Sequence, residues 1–233
     1  MTNNELLIKV KERANKLDSL DYDNLECWQI LEAFNKGQFQ WIRRQVYGYN
    51  LRQQGDEASK FSIDDLQVLL IEVPLTRTVQ NRYVETELVP DNYLYWKRIK
   101  GECVVECCNN RPLKIHLSEM ANAEDLLDDE FKTPSADWGE TFADMIGNRA
   151  RIYTDNKFGI DNIRLIYYRE PARVQIQGCF NLATAAESTV DTPCEFKNDV
   201  AELLVDECVK ILTGDIESFN QVSIAKQTSS ENS

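Results

Sequence analysis

The chain predicts an α+β fold: N-terminal helices and a C-terminal helix packed with a central, mainly antiparallel β-sheet or small β-sandwich. Three observations predict it. The long helical periodicities lie toward the two ends of the chain. β-branched and aromatic runs fill the middle. Short turn signals join those runs, where a parallel sheet would need helices of crossover length.

Asn3 to Leu17 predicts a first helix, with Leu6, Leu7, Val10, Ala14 and Leu17 on its inner side. A turn rich in Asp and Ser, Asp18 to Asp23, leads into the dominant element, a long amphipathic helix from Asn24 to Tyr47. At about 100° per residue, Ile30, Trp41, Phe34, Cys27, Leu31, Ile42, Trp28, Val46 and Phe39 share one half of the wheel. Asn35 is the one polar residue well inside that half. So wide a stripe predicts cover from two sides. Ala33 and Gly37 sit beside it, where a second backbone can come close.

Gly48 to Phe61 is polar and reads as a loop. Ser62 and Asp65 form a capping-box-like start to a short helix, SIDDLQVLLIEV, which Pro74 stops. Thr76 to Val89 predicts a strand. Asp91 to Trp96 is a turn or single helical turn that runs into a strand from Lys97 to Cys108. Asn109-Asn110 turns the chain, and Leu113 to Leu117 pairs back as a hairpin. Ser118 caps an acidic helix, EMANAEDLLDD, and Thr133 to Gly147 reads as irregular. Ala150 to Thr154 and Ile160 to Tyr168 predict two more strands, which Val174 to Ile176 can extend. Leu182 to Pro193 is a surface connection. Phe196 to Gly214 is the last helix, with Val200, Ile211, Leu204, Cys208, Phe196 and Leu203 in its stripe. The tail from Asp215 to Ser233 has no core pattern. The organisation expected is a helical part over 1–73 and a β-rich part over 74–195. A closing helix over 196–214 packs back on the first helices, and an extended tail covers 215–233.

The composition excludes some functions. With 26 basic and 39 acidic residues, the net charge of −13 argues against a protein that wraps nucleic acid by neutralising phosphates. No apolar run approaches the roughly 20 residues of a membrane span. The charged start, MTNNELLIKVKERANK, is unlike a secretion signal. Seven cysteines, an odd number, with Cys27 and Cys208 on apolar helix faces, read as reduced thiols.

Catalytic patterns are sparse. The single histidine, His116, falls on a strand, and no Gly-x-Ser-x-Gly elbow, Walker loop or dinucleotide glycine pattern occurs. A small enzyme using His116 with a cysteine is one alternative. A zinc-stabilised binding module using Cys103, Cys107, Cys108 and His116 is another, although these residues lack paired close ligands on turns. The cluster Glu124, Asp125, Asp128, Asp129 and Glu130 has neither the spacing nor the glycine of a calcium loop and reads as a solvated helix face. Neither a cofactor nor a metal is expected. Arg43, Arg44 and Arg52 lie beside Tyr47 and Tyr49, residue types favoured in protein interfaces. With Trp28, Trp41, Phe219, Val222 and Ile224 they make up the expected interface.

Four stretches carry a family resemblance. They are LEAFNKGQFQWIRRQVYG with the Gly55-Asp56 loop and Asp64 to Gln67, LVPDNYLYWKRIKGEC from Leu88, RIYTDNKFGIDNIRLIYYREPARV from Arg151, and EFKNDVAELLVDECVKILTGDIES with its polar tail. The chain resembles the neck or ring (head–tail connector) proteins of tailed bacteriophages, particularly the crAss-like phages of Bacteroidetes hosts. The resemblance implies a virion structural protein, assembled in the host cytoplasm, with no catalytic residues. It implies a closed homo-oligomeric ring, typically a dodecamer, that meets the portal and adjacent ring or tail proteins. Viral DNA would pass through without sequence-specific binding.

Overall fold

A computed structural model of the chain describes residues 1–15, 25–47, 64–80, 82–105 and 108–215. The chain divides into two compact units, Met1–Val68 with Pro171–Ser233, and Leu69–Glu170. The class is α+β.

The first unit contains the helices α1 (Asn3–Asn15), α2 (Cys27–Tyr47) and α4 (Asn198–Asp215). A reciprocal capping box opens α1. The Thr2 N–H donates to Glu5 Oε2 at 2.8 Å, and the Glu5 N–H donates to Thr2 Oγ1 at 3.3 Å. Leu6, Val10 and Ala14 are buried along the inner side of α1. Lys9 and Arg13 both reach Glu202 of α4, and Arg13 also reaches Asp206.

α4 crosses α2 closely. A Cβ built at Gly37 would lie 3.6 Å from Glu207 Cβ and 3.7 Å from the Cys208 backbone nitrogen. Trp41 meets Phe196 edge-on, with ring centroids 5.3 Å apart, and the Cys208 thiol points at the Ile30 carbonyl oxygen. The stripe of α2 is thus core: Ile30, Leu31, Phe34, Trp41 and Ile42 are all buried.

A disulfide joins Cys27, the first residue of α2, to Cys179 across 152 residues. This corrects the expectation of seven reduced thiols. Two cysteines so distant in sequence give no local sign of pairing. Cys103, Cys194 and Cys208 are free.

The second unit is one eight-stranded sheet. Its strands are β1 (Leu70–Pro74), β2 (Arg77–Gln80), β3 (Tyr83–Leu88), β4 (Tyr93–Val105), β5 (Cys108–Leu117), β6 (Glu140–Ile146), β7 (Arg149–Tyr153) and β8 (Gly159–Arg169). They lie in the order β1-β8-β4-β5-β6-β7-β3-β2. Every pairing is antiparallel except β5 with β6. That parallel pair requires a crossover, which a 3₁₀ turn (Met120–Asn122) and the short helix α3 (Ala123–Asp128) supply.

β1 and β2 occupy opposite edges of this sheet, yet only Leu75 and Thr76 connect them. The sheet therefore curls until its edges meet. Arg77 of β2 closes the seam, donating to the Ile160 carbonyl at 3.2 Å and pairing with Asp161 at 3.2 Å. Inside the curl pack Val84, Ile99, Cys103, Leu113, Ile115, Ile152, Ile160, Leu165 and Tyr167. Gly101 leaves room there, since a Cβ at that position would come within 3.1 Å of Ile160 Cγ2.

Several local expectations need correction. The helix expected to run to Pro74 ends by Leu69, and Leu70–Pro74 is strand β1, paired with Tyr168 to Arg164 of β8. A sheet edge offering partners outweighs the ambiguous propensity of a short apolar run. The helical turn expected at Asp91 to Trp96 is mostly the start of β4. The stretch read as irregular contains β6. Thr76 to Val89 is two strands, β2 and β3.

Candidate interaction surfaces

In the first unit, α2 and the segment after Pro171 form a groove, open to solvent and lined in part by Trp28, Leu31, Val174, Ile176, Phe180 and Leu182. Two features hold the segment in place. One is the Cys27–Cys179 bond. The other is Asn35, the polar residue in the apolar half of α2. Its Nδ2 donates to the Val174 carbonyl at 3.2 Å, and its Oδ1 accepts from the Val174 N–H at 2.9 Å. Gln38 also donates to that oxygen, at 2.9 Å. A side-chain amide thus pairs with a buried backbone that would otherwise be unsatisfied.

Beyond Cys179 the chain makes a miniature hairpin, β9 (Phe180–Asn181) with β10 (Ala186–Glu187). Phe180 and Leu182 stand 42% and 50% exposed on the groove's rim. Glu32, Arg173 and Ser188 add polar groups to the lining. Trp28 is half-buried there and donates its indole N–H to Glu26.

In the second unit, the loop between α3 and β6 carries two large aromatic side chains in water. Phe131 is 95% exposed and Trp138 is 84% exposed. The loop backbone is ordered by local bonds: the Phe131 N–H donates to Asp129 Oδ1 at 2.9 Å, and Ser135 and Glu140 form a bridge. Lys157 donates to Thr133 Oγ1 at 2.9 Å from the turn before β8. Exposed aromatics on an ordered loop are the anchor type that interfaces use.

The outer face of β6, β7 and β3 holds a polar-aromatic cluster. The Tyr153 hydroxyl donates to Asp144 Oδ2 at 2.9 Å, and Phe142 stacks on Tyr153 at 4.7 Å. The Arg151 guanidinium lies 5.1 Å from the Tyr83 ring centroid and pairs with Glu85 at 3.3 Å. Asp144 is 1% exposed, and its Oδ1 finds no hydrogen-bond partner among the described residues. Burial raises the Asp144 carboxyl above its usual range, while the Tyr153 hydroxyl and Arg151 pull it down less strongly. Burial, then the bond to Asp144, pushes Tyr153 up to about 12.

The residues singled out in the sequence fall out unevenly. Trp28 lines the groove. Trp41 is 4% exposed and packed on Phe196, so it is a core residue and offers no surface, a correction to its place in the expected interface. Arg43 is exposed. Arg44 is drawn inward to the buried Glu207, at 2.7 Å, and balances that charge within the helix pair. The side chain of Tyr47 lies outside the described residues, as do Tyr49, Arg52, Phe219, Val222 and Ile224. Phe131, Trp138, Phe180 and Leu182 were missed because sequence does not say which aromatic and aliphatic side chains remain in water.

His116 is exposed on β5, on the sheet face opposite the buried Ile115. Cys103 is 2% exposed and packs in the core with Ile115, so the two groups stand on different faces. Cys107 and the side chain of Cys108 lie outside the described residues. Burial raises the thiols of Cys103, Cys194 and Cys208, which keeps them protonated and weakly nucleophilic. Among the described residues no three His, Cys, Asp or Glu side chains gather as metal ligands would, and no helix is long and apolar enough to cross a membrane.

No protein-family model matches the chain, and no curated protein matches it in sequence.

Proposed function

We propose that the chain is a structural, non-catalytic subunit of a bacteriophage neck ring, a head–tail connector below the portal whose wall borders the DNA channel. The observation that carries this reading is the pair Phe131 and Trp138, held in water on an ordered loop. Burying a full aromatic side chain is worth about 1.5–3 kcal/mol, so a partner surface that covers both gains substantially. The four stretches that resemble connector proteins are what support reading the assembly as a neck ring.

Other features support the same reading. The described free thiols are raised by burial, and His116 stands on the sheet face away from Cys103. Both weigh against chemistry by His116 with Cys103. The disulfide between Cys27 and Cys179 suits a protein that persists in a particle outside the cell. A net charge of −13 suits a wall past which DNA slides without being held.

Electron microscopy of a tailed particle whose genome encodes the chain tests the proposal. The expected result is a closed ring of this subunit between portal and tail. A mature particle that contains no copy of the chain overturns it.

A further inference from the structure

We propose that two faces of the second unit meet head to tail between neighbouring copies of this chain: the acidic, aromatic crossover between β5 and β6, and the basic outer face of β8, β4 and β5.

The crossover, residues 117–138, gathers apolar side chains in water. Leu117, Met120, Phe131 and Trp138 are all exposed. Around them Glu119, Glu124, Asp125, Asp128, Glu130 and Asp137 are exposed too, against a single cation, Lys132, which pairs with Asp129. Aromatic side chains ringed by carboxylates fit a surface of arginine and lysine. The carboxylates pair with the cations, and the ring faces take them by cation–π contact.

The chain carries such a surface. Ile99 and Cys103 of β4 point into the curl, so alternation turns Arg98 and Lys100 outward. Alternation likewise turns out Lys114 of β5, between Leu113 and Ile115, and Arg164 of β8, between Ile163 and Leu165. All four cations are exposed. The register sets Lys100 directly opposite both Lys114 and Arg164, so three cations stand abreast across three strands. Like charges in that arrangement oppose the pairing of strands. Glu72 offsets them in part, 3.7 Å from Lys100 and 3.5 Å from Arg164, as does Glu140, 3.1 Å from Lys114. Glu102, the next outward residue of β4, is engaged by Asn110 and Asn162. The row around Lys100 is left positive in a chain whose net charge is −13.

The two faces belong to different sides of one molecule. Ala123 packs with Phe142 and Tyr153, which seats α3 on β6 and β7. β8, β4 and β5 precede those strands in the sheet order, so the curl turns the two faces apart. A contact between unlike faces of identical subunits passes from copy to copy and closes into a ring where the rotation allows. DNA suits the basic face less well, because Glu72 and Glu140 stand among its cations and the chain as a whole repels phosphate. The inference rests on the connector reading for the closure of the ring and names the faces that build it.

The test reverses each face in the full chain and then mixes the products. One variant carries Arg98→Glu, Lys100→Glu and Arg164→Glu, and the other carries Asp128→Lys, Glu130→Lys and Asp137→Lys. All six positions are exposed or edge the sheet surface, and circular dichroism checks that each variant folds. Sedimentation velocity at low salt follows association. Wild type is expected to associate as its concentration rises, and to do so less at about 1 M salt, where screening acts within about 3 Å. Each variant alone should need at least about tenfold more protein to associate, because like charges then face each other. An equimolar mixture should associate as wild type does, since each acidic face again meets a basic one. Trp138→Ala, a milder change at an exposed side chain, should also weaken association at least about tenfold. Wild type that stays monomeric, variants that associate as wild type does, or a mixture that stays dispersed overturns the proposal. Such a failure leaves room for a ring built through other faces, whereas absence of the chain from the particle removes the connector reading itself.

Discussion

The side-chain amide of Asn35 pairs with both backbone hydrogen-bonding groups of Val174, at 2.9 and 3.2 Å. A helix thereby holds an irregular segment in the way a neighbouring strand would. Asn35→Leu leaves a buried donor and a buried acceptor unpaired. At about 1–3 kcal/mol for each group, the expected loss is roughly 2–6 kcal/mol. Urea unfolding monitored by circular dichroism measures it. A loss under about 0.5 kcal/mol would mean that water replaces the amide at little cost.

Gly37 separates two kinds of substitution. A Cβ there meets its neighbours at 3.6–3.7 Å, which is ordinary contact. Gly37→Ala therefore raises stability by up to about 1 kcal/mol through helix propensity. Gly37→Leu drives a larger side chain against Glu207, Cys208 and Ile211 and costs about 1–3 kcal/mol. Thermal melts of the two variants should move in opposite directions.

The buried pair on the outer face of the sheet makes stability depend on pH at both ends of the scale. Asp144 titrates higher in the folded chain than in the unfolded chain, where its value is about 3.9. At low pH both states hold the proton. As pH rises through the unfolded value, the unfolded chain ionises first and folding weakens until the folded carboxyl ionises too. Asp144→Asn keeps an acceptor for Tyr153 and removes this penalty. The variant should melt higher than wild type at pH 7, with the gap closing toward pH 3. A gap between the Asp144→Asn variant and wild type that stays constant with pH would contradict this assignment. For Tyr153, folded at about 12 against an ordinary 10, the unfolded chain ionises first above pH 10. Stability is then lost between pH 10 and 12, and Tyr153→Phe should abolish that loss.

Breaking the Cys27–Cys179 bond frees a long loop in the unfolded state, since the two residues are 152 apart. Cys27→Ser is expected to cost about 2–5 kcal/mol under oxidising conditions. With excess dithiothreitol, wild type should fall to the level of the variant. If wild type and variant unfold at the same urea concentration without reductant, the bond contributes nothing to stability.

The fold class was legible because the two periodicities differ and are segregated. The repeat near 3.6 marks α1, α2 and α4, and alternation marks β7 and β8. β6 was not legible, because Thr141, Phe142, Ala143 and Asp144 are all buried and a strand covered on both faces does not alternate. β1 was ambiguous for a related reason, since LLIEV is a short apolar run that suits a buried helix end as well as a strand. Asn35 was visible as an anomaly, but its partner Val174 lies 139 residues away and only the tertiary fold brings them together. The groove was hidden in the same way. Trp28 stood out in the sequence, whereas its opposite wall at Phe180 and Leu182 adjoins what read as a plain surface connection. Trp41 looked like an interface residue by type and is core by position, because α4 covers the stripe on which it sits.

In the proposed ring, the exposed aromatic side chains become buried against other subunits. Hydroxyl-radical footprinting of Trp138, in the assembled particle and in the isolated chain, tests this most directly. The isolated chain should oxidise Trp138 readily, as expected of a side chain 84% exposed. The assembled chain should oxidise it at least about tenfold more slowly if a partner covers it. Equal oxidation in the two states would contradict the account.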